Sequence, residues 1–221
     1  MRVVAIDGPA GAGKTTVAQG VADALGLDVL DTGAMYRAVT LLALQRGLEL
    51  QDGEAIARVA EQTPLEVGDA QGTVRLDGRD VTPEIRGPAV SAGVSTVSAH
   101  PEVRKLLRKR QREWAEERGG GVVEGRDIGT VVLADAPLKV FLTASDDERA
   151  RRRLGDEHAA DRQADLDDVR DAVDRRDALD NQTTPLEPAP DAVVIDTTGR
   201  DISDVVSEIV QRFESAVGAD R

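Results

Sequence analysis

The sequence predicts an α/β fold, a parallel β-sheet with helices packed against its faces. Two observations carry the prediction. Short apolar runs alternate with longer stretches of helical periodicity, and the first run leads into a glycine-rich turn that opens directly into a helix. Strands of a parallel sheet are covered on both faces, so they read as continuous apolar segments rather than alternating ones.

The first such segment is Val3–Ile6, followed by DGPAGAGKTTVA at 7–18. The spacing G-x-x-x-x-G-K-[ST] runs from Gly8 to Thr15. Across Gly8, Pro9, Ala10, Gly11, Ala12 and Gly13 the glycines let backbone N–H groups converge on an anion without Cβ obstruction. Lys14 can then reach the β- and γ-phosphates, and the Thr15 hydroxyl can ligate Mg²⁺. Thr16 follows at the helix start, where the positive dipole end adds to the site. The Lys14 ammonium is expected to stay exposed until phosphates arrive. A flexible Gly/Ala turn is the bland alternative, but the strand before it and the helical spacing of Val17, Val21 and Leu25 after it favour a nucleotide phosphate loop.

The second strand is Val29–Leu30, and DTGAMYR (31–37) leads into a helix over 34–46 carrying Met35, Val39, Leu42 and Leu44. Thr32 and Arg37 thereby sit near the carboxyl end of a parallel strand, where ligands bind in such sheets. Residues 64–86 are short, alternating and turn-rich, and Leu76-Asp77-Gly78-Arg79 carries the Asp-Gly hairpin signal. They predict a small antiparallel insert outside the main sheet. A helix over 102–117 follows, with Val103, Leu106, Leu107 and Trp114 on its apolar side.

The third strand is Val122–Val123, and EGRDIGTVV (124–132) presents Glu124, Arg126 and Asp127 at the same sheet edge. An acidic residue ending a strand is where phosphate-loop proteins hold the Mg²⁺ water shell, so Glu124 is expected to act on the metal through water beside Thr15. The fourth strand is Leu138–Leu142. Residues 153–168 are acidic, polar and poor in apolar anchors, and predict a mobile surface segment. RRDALD (175–180) places Arg176 and Asp180 four apart on one helix face, the spacing also of a plain surface ion pair. Ala192–Ile195 is the fifth strand, and Ile202–Val217 closes the fold with Val205, Val206, Ile209, Val210 and Phe213. There are no internal repeats.

A length of 221 residues suits one globular unit with small inserted pieces. The net charge of −13 argues against a general nucleic-acid or anionic-membrane binder. The cations are instead gathered, in Arg104, Lys105, Arg108, Lys109, Arg110 and Arg112, and again in Arg149, Arg151, Arg152 and Arg153. The two runs also read as solvated helix faces. One Trp, one Tyr and two Phe imply an aliphatic core and no platform for stacking single-stranded nucleic acid. The absence of cysteine excludes disulfides and thiolate zinc sites, and His100 and His158 are too far apart to suggest a metal centre. No apolar run is long enough to span a bilayer, and a strand by residue 3 leaves no room for a signal peptide, so a cytoplasmic, soluble protein is expected.

Gly8–Thr16, Asp31–Arg37, Glu124–Val132, the arginine-rich Glu148–Arg153 and Arg176–Asp180 together resemble the bacterial cytidylate kinases, along nearly the whole chain. Adenylate kinases share the loop but lack the long insert and the EGRDIGTVV segment. The resemblance implies a P-loop nucleoside monophosphate kinase fold, with five parallel strands in the order 2-3-1-4-5. It implies a core of 1–31, 99–148 and 169–221, an NMP-binding domain of 32–98 including the β insert 64–86, and a lid of 149–168. The implied activity is ATP-dependent phosphorylation of CMP and dCMP with Mg²⁺, by a monomer that binds neither nucleic acid nor membrane. Thr32, Arg104 and Asp127 would face the cytosine ring or lie near it. Arg37 and Arg126 would clamp the CMP phosphate, and Ser95, Arg176 and Asp180 would meet the ribose. Lys14, Arg126, Asp127, Arg149 and Arg153 would carry catalysis, the last two from the lid over ATP. One departure stands out: many members carry a further arginine in a D-S-x-R stretch after the position of Asp180, and this chain reads Asp180-Asn181-Gln182-Thr183-Thr184-Pro185. Rival readings are a kinase of another small metabolite or nucleotide, and a nucleotide switch. A guanine switch needs an N-K-x-D segment, and Asn181, the sole asparagine, precedes Gln182.

Overall fold

In chain order, β1 (Arg2–Asp7) is buried at all but its first residue and runs into the phosphate loop, from which α1 (Lys14–Leu25) departs. β2 (Val29–Asp31) leads into α2 (Thr32–Gln45), whose first turn is capped by Asp31 accepting the Ala34 N–H at 2.9 Å. Such a cap is worth about 1 kcal/mol. α3 (Gly53–Gln62) is capped in the same way by Asp52. The insert comprises β3 (Leu65–Val67), β4 (Val74–Leu76) and β5 (Arg79–Asp80). α4 (Pro88–Ala99) and α5 (Pro101–Glu117) each open on a proline, which costs nothing where the N–H has no helical partner. β6 (Gly120–Gly125), β7 (Leu138–Thr143), α6 (Asp146–Ala159), α7 (Leu166–Thr183), β8 (Val193–Asp196) and α8 (Ile202–Gly218) complete the chain. This computed structural model describes residues 1–68, 72–159 and 165–218, with the side chains of 156–159 and 176 outside the description.

Five strands form one parallel sheet in the order β2-β6-β1-β7-β8. Counting only these strands, the order is 2-3-1-4-5, as expected. The connections reverse direction around β1, so the crevice at the carboxyl ends of β1, β6 and β7 is the topological switch point, where such sheets bind ligands. Alternation along the strands sorts the core into two layers. Val3, Ala5, Leu30 and Val123 pack with α2 and α5. Val4, Ile6, Val122, Val140, Leu142 and Ile195 pack with α1 and α8, where Phe213 is 1% exposed.

β3, β4 and β5 form the expected antiparallel sheet. Its hairpin turns at Asp77 and Gly78, both at positive φ (52° and 75°), as a type I′ turn requires. Trp114 of α5 joins the insert to the main sheet. Its indole Nε1 donates to the Val67 carbonyl at 3.1 Å, and the Arg118 guanidinium lies 4.7 Å from the ring centre.

The segment 153–168 differs from expectation. Residues 153–159 continue α6 and residues from Leu166 belong to α7, while 160–164 lie outside the described residues. The helix needs no apolar stripe here. Asp146, Asp147 and Glu148 sit in its first turn, favourable to the dipole, and Arg151 and Arg152 both pair with Glu148. The other surprise follows β6. Residues Ile128–Val132 form a π-helical turn, with the Leu133 N–H reaching the Ile128 carbonyl at 2.7 Å.

Candidate active site

Gly8 leaves β1 at φ 148°, and a Cβ there would lie 2.1 Å from the Leu142 carbonyl oxygen, so only glycine lets the loop turn against β7. The loop through Pro9, Ala10, Gly11 and Ala12 ends at Gly13, whose carbonyl accepts the Val17 N–H at 3.0 Å, and Thr16 lies exposed in the first turn of α1. Lys14 is not exposed, contrary to expectation. It is 8% exposed, and its Nζ donates back to the Pro9 carbonyl at 2.8 Å. The ammonium is thus held across the loop, where an anion cradled by the loop would meet it.

Thr15 donates its hydroxyl to Glu124 Oε1 at 2.5 Å. Glu124 ends β6 and is 4% exposed. Burial, reinforced by the Asp31 carboxylate, pushes its carboxyl up to about 7, against the pull of Lys14, Thr15 and Arg126. Its backbone carbonyl accepts the Thr32 hydroxyl at 2.7 Å, so Thr32 stands beside the acidic group as its sequence position suggested. Among the described residues no cluster of three metal-binding side chains exists. One hydroxyl and one carboxylate at the mouth of a phosphate loop are the hard oxygen set that Mg²⁺ accepts when phosphates supply the rest.

Arg126 lies against the loop itself. Its Nη1 donates to the Gly8 carbonyl at 3.0 Å and its Nε to Asp180 Oδ2 at 3.0 Å. Arg126 and Asp180 are therefore brought together, whereas Arg176 shares α7 with Asp180 but its side chain lies outside the described residues. Asp127 pairs instead with α5: Arg104 and Arg108 donate to its Oδ2 at 2.8 and 2.6 Å. The half-buried Tyr36 lies beside this trio, and desolvation of its phenol pushes it up to about 12, so it remains a neutral hydroxyl. Arg37 faces elsewhere on α2, donating to Ser91 Oγ at 3.0 Å and the Ile85 carbonyl at 3.3 Å. Ser95 is half-buried one turn along α4 from Ser91.

From the other side, Arg149 of α6 donates to the Ala10 carbonyl at 3.1 Å and pairs with Asp146 and Asp177. Arg153 is half-buried one turn further on. Three contributors were missed from sequence. Asp177 accepts the Ala10 N–H at 3.0 Å. Arg108 stands one turn beyond Arg104. Asp7, 6% exposed, accepts the N–H groups of Ile128 and Gly129 at 2.8 and 2.7 Å, tying the end of β1 to the π-turn. Burial raises its carboxyl above the ordinary range despite those two N–H groups. Its one signal in sequence was a charged residue closing an otherwise apolar strand.

A wide hollow of about 510 Å³ opens at the far end of the sheet, lined by Leu138, Val193, Glu208, Gln211, Arg212 and Ser215. Its charges are spent on one another, Glu208 pairing with Arg200 and Arg212. The candidate site residues gather at the carboxyl edge instead.

A family model described as cytidylate kinase matches residues 4–215. A cytidylate kinase from Desulfitobacterium hafniense is 48% identical over 217 residues, spanning 97% of this chain and 93% of that protein. One from Mycolicibacterium paratuberculosis is 50% identical over 211 residues, spanning 94% and 92%. Among solved structures, an uncharacterized protein from Eubacterium ventriosum aligns with a TM-score of 0.54 at 14% identity, spanning 97% of this chain and 99% of that one, a likeness of fold alone.

Proposed function

The chain belongs to the cytidylate kinase family, and we infer from that premise that it transfers the γ-phosphoryl group of ATP to CMP and dCMP. The observation that supports the reading is Arg126 bonded to the Gly8 carbonyl, a guanidinium fixed at the mouth of the phosphate loop, where an acceptor phosphate would meet the donor. An ADP-release assay across all ribo- and deoxynucleoside monophosphates tests it. CMP and dCMP should be the preferred acceptors, and a higher kcat/KM for a purine monophosphate would overturn it.

In the proposed mechanism the loop amides and Lys14 hold the ATP phosphates, and Arg126 and Arg37 hold the acceptor phosphate in line. Arg149 and Arg153 close over the donor, with Arg149 exchanging Asp146 or Asp177 for phosphate oxygens. Thr32, Arg104 and Asp127 read the base, and Ser95, Arg176 and Asp180 meet the ribose. Thr15 and Glu124 would hold Mg²⁺, Glu124 through water, and the metal would supply positive charge to neutralise the ATP phosphates. The transferring group carries its charge on equatorial oxygens, so catalysis is positioning and neutralisation by these fixed cations. The acceptor is a phosphate oxygen already ionised at neutral pH, so no side chain need act as base. The described residues of 32–98 and 149–168 serve as the NMP-binding part and the lid against a core formed by those of 1–31, 99–148 and 169–221, with 69–71, 160–164 and 219–221 outside the description. The protein works as a cytoplasmic monomer. Among the described residues no helix is long and apolar enough to cross a membrane.

Glu124 gives this reading a pH signature. Its carboxyl, pushed from 4.5 to about 7 by burial, holds its proton more tightly folded than unfolded. The stability from that proton is full below pH 4.5 and is lost as pH rises toward about 7. Glu124→Gln removes this slope while keeping an acceptor oxygen for Thr15. Urea midpoints at pH 5 and pH 8 should show the variant gaining on the parent by up to about 3 kcal/mol at the higher pH. Turnover should fall. An equal parent-to-variant difference at both pH values would show that Glu124 is already ionised in the free protein.

A further inference from the structure

Asp127 is held by two cations on one oxygen. Arg104 and Arg108, one turn apart on α5, both donate to Oδ2, and no hydrogen bond among the described residues engages Oδ1. The backbone of Asp127 is already fixed. Its carbonyl accepts the N–H groups of Val131 and Val132 at 2.9 and 3.0 Å, and the next two N–H groups are held by Asp7. The freedom left to the carboxylate is rotation about its own side chain.

The two arginines are not equivalent. Arg104 also donates to Thr184 Oγ1 at 2.5 Å and to the Ser98 carbonyl at 3.2 Å, so it is tied to the end of α4 and to the segment after α7. Arg108 makes no other hydrogen bond among the described residues, and its Nε is buried without a partner. An orphaned buried N–H is costly. A guanidinium kept there for Asp127 alone is more than one carboxylate needs for neutralisation while Arg104 stays in place.

On the reading of Asp127 as the carboxylate that contacts the base, from which this follows, we propose that Arg108 is a positioning residue for nucleotide selectivity. It pins Oδ2, so that Oδ1 alone meets the exocyclic amine of cytosine. It also keeps Asp127 paired when Arg104 turns toward the acceptor edge of the base. A pinned lone pair rejects a base that presents an acceptor at that position, as uracil does with O4, whereas a carboxylate free to rotate turns away and admits it.

The test uses the full chain with Arg108→Met and Arg108→Gln, Asp127→Ala, and the double variant Arg108→Met/Asp127→Ala, with kcat and KM measured for CMP, UMP and ATP. Either Arg108 variant should raise KM for CMP about tenfold, leave KM for ATP unchanged, hold kcat for CMP within about twofold and narrow the CMP/UMP ratio of kcat/KM. In the Asp127→Ala background, loss of Arg108 should have no further effect on that ratio, because Arg108 acts through Asp127. Two Arg108 substitutions with different polarity guard against one failing to fold, and thermal melts identify which folded. If Asp127→Ala narrows the ratio and a folded Arg108 variant leaves it unchanged, or weakens CMP and UMP equally, the positioning role is overturned. If Asp127→Ala itself leaves the ratio unchanged, the base-contact reading fails, and this inference with it.

Discussion

Lys14→Ala should lower kcat by about 10²–10³-fold, the loss seen when one preorganised donor is removed from a charge-stabilising site. The ammonium is already held across the loop by the Pro9 carbonyl, so its position costs little to organise when phosphates enter. Because Lys14 is buried, the substitution is not silent for the fold. It leaves the Pro9 carbonyl without that donor, at about 1 kcal/mol. That corresponds to a loss of roughly 2–4 °C in Tm for a domain of this size. Lys14 also holds the Glu124 carboxyl down, so Glu124 in the variant should titrate higher than in the parent. Steady-state kinetics with a thermal melt check the pair of effects. Near-normal turnover in a folded variant would remove Lys14 from the phosphate loop's chemistry.

Arg126→Met should be nearly as damaging, by about 10²–10³-fold in kcat/KM for CMP, with a smaller effect on KM for ATP. The guanidinium spans from the Gly8 carbonyl to Asp180, and methionine can make neither bond. Lysine should not restore function, because a point charge on a flexible stem cannot serve two partners and a phosphate in fixed geometry. Equal activity of Arg126→Lys and the parent in the same assay would show that only charge matters here.

β1, β6 and β7 were legible because strands covered on both faces leave an apolar signature, the edge strands β2 and β8 by short apolar runs although Val194 is 55% exposed, and the phosphate loop because its shape demands glycine. Residues Gly119–Gly121 hid the start of β6. They look like a breaker, yet Gly120 pairs with Arg2 in the ladder at φ 145°, where a Cβ would lie 2.2 Å from the Arg2 carbonyl oxygen. Residues 153–159 of α6 were illegible for the opposite reason. They continue a helix whose preceding turns are joined by ion pairs of Glu148 with Arg151 and Arg152 and which packs on α7, with no hydrophobic period to announce its extent. At the candidate site, residues grouped by motif were found, whereas partners chosen by the fold were not. Arg126 and Asp127 are neighbours in sequence, but one turns to Asp180 and the other to Arg104 and Arg108. Asp7 and Asp177 bind backbone N–H groups distant in sequence, and no local pattern announces such a bond.

Trp114 gives the protein an internal optical probe. The chain has one indole, and it sits where the small insert meets the main sheet, hydrogen-bonded to β3 and stacked under Arg118. Its fluorescence therefore reads a single place. Any swing of the insert that breaks the bond to the Val67 carbonyl changes the polarity around the ring, and with it the colour and intensity of emission. Rapid mixing with CMP would then time that movement separately from phosphoryl transfer, in the unlabelled protein.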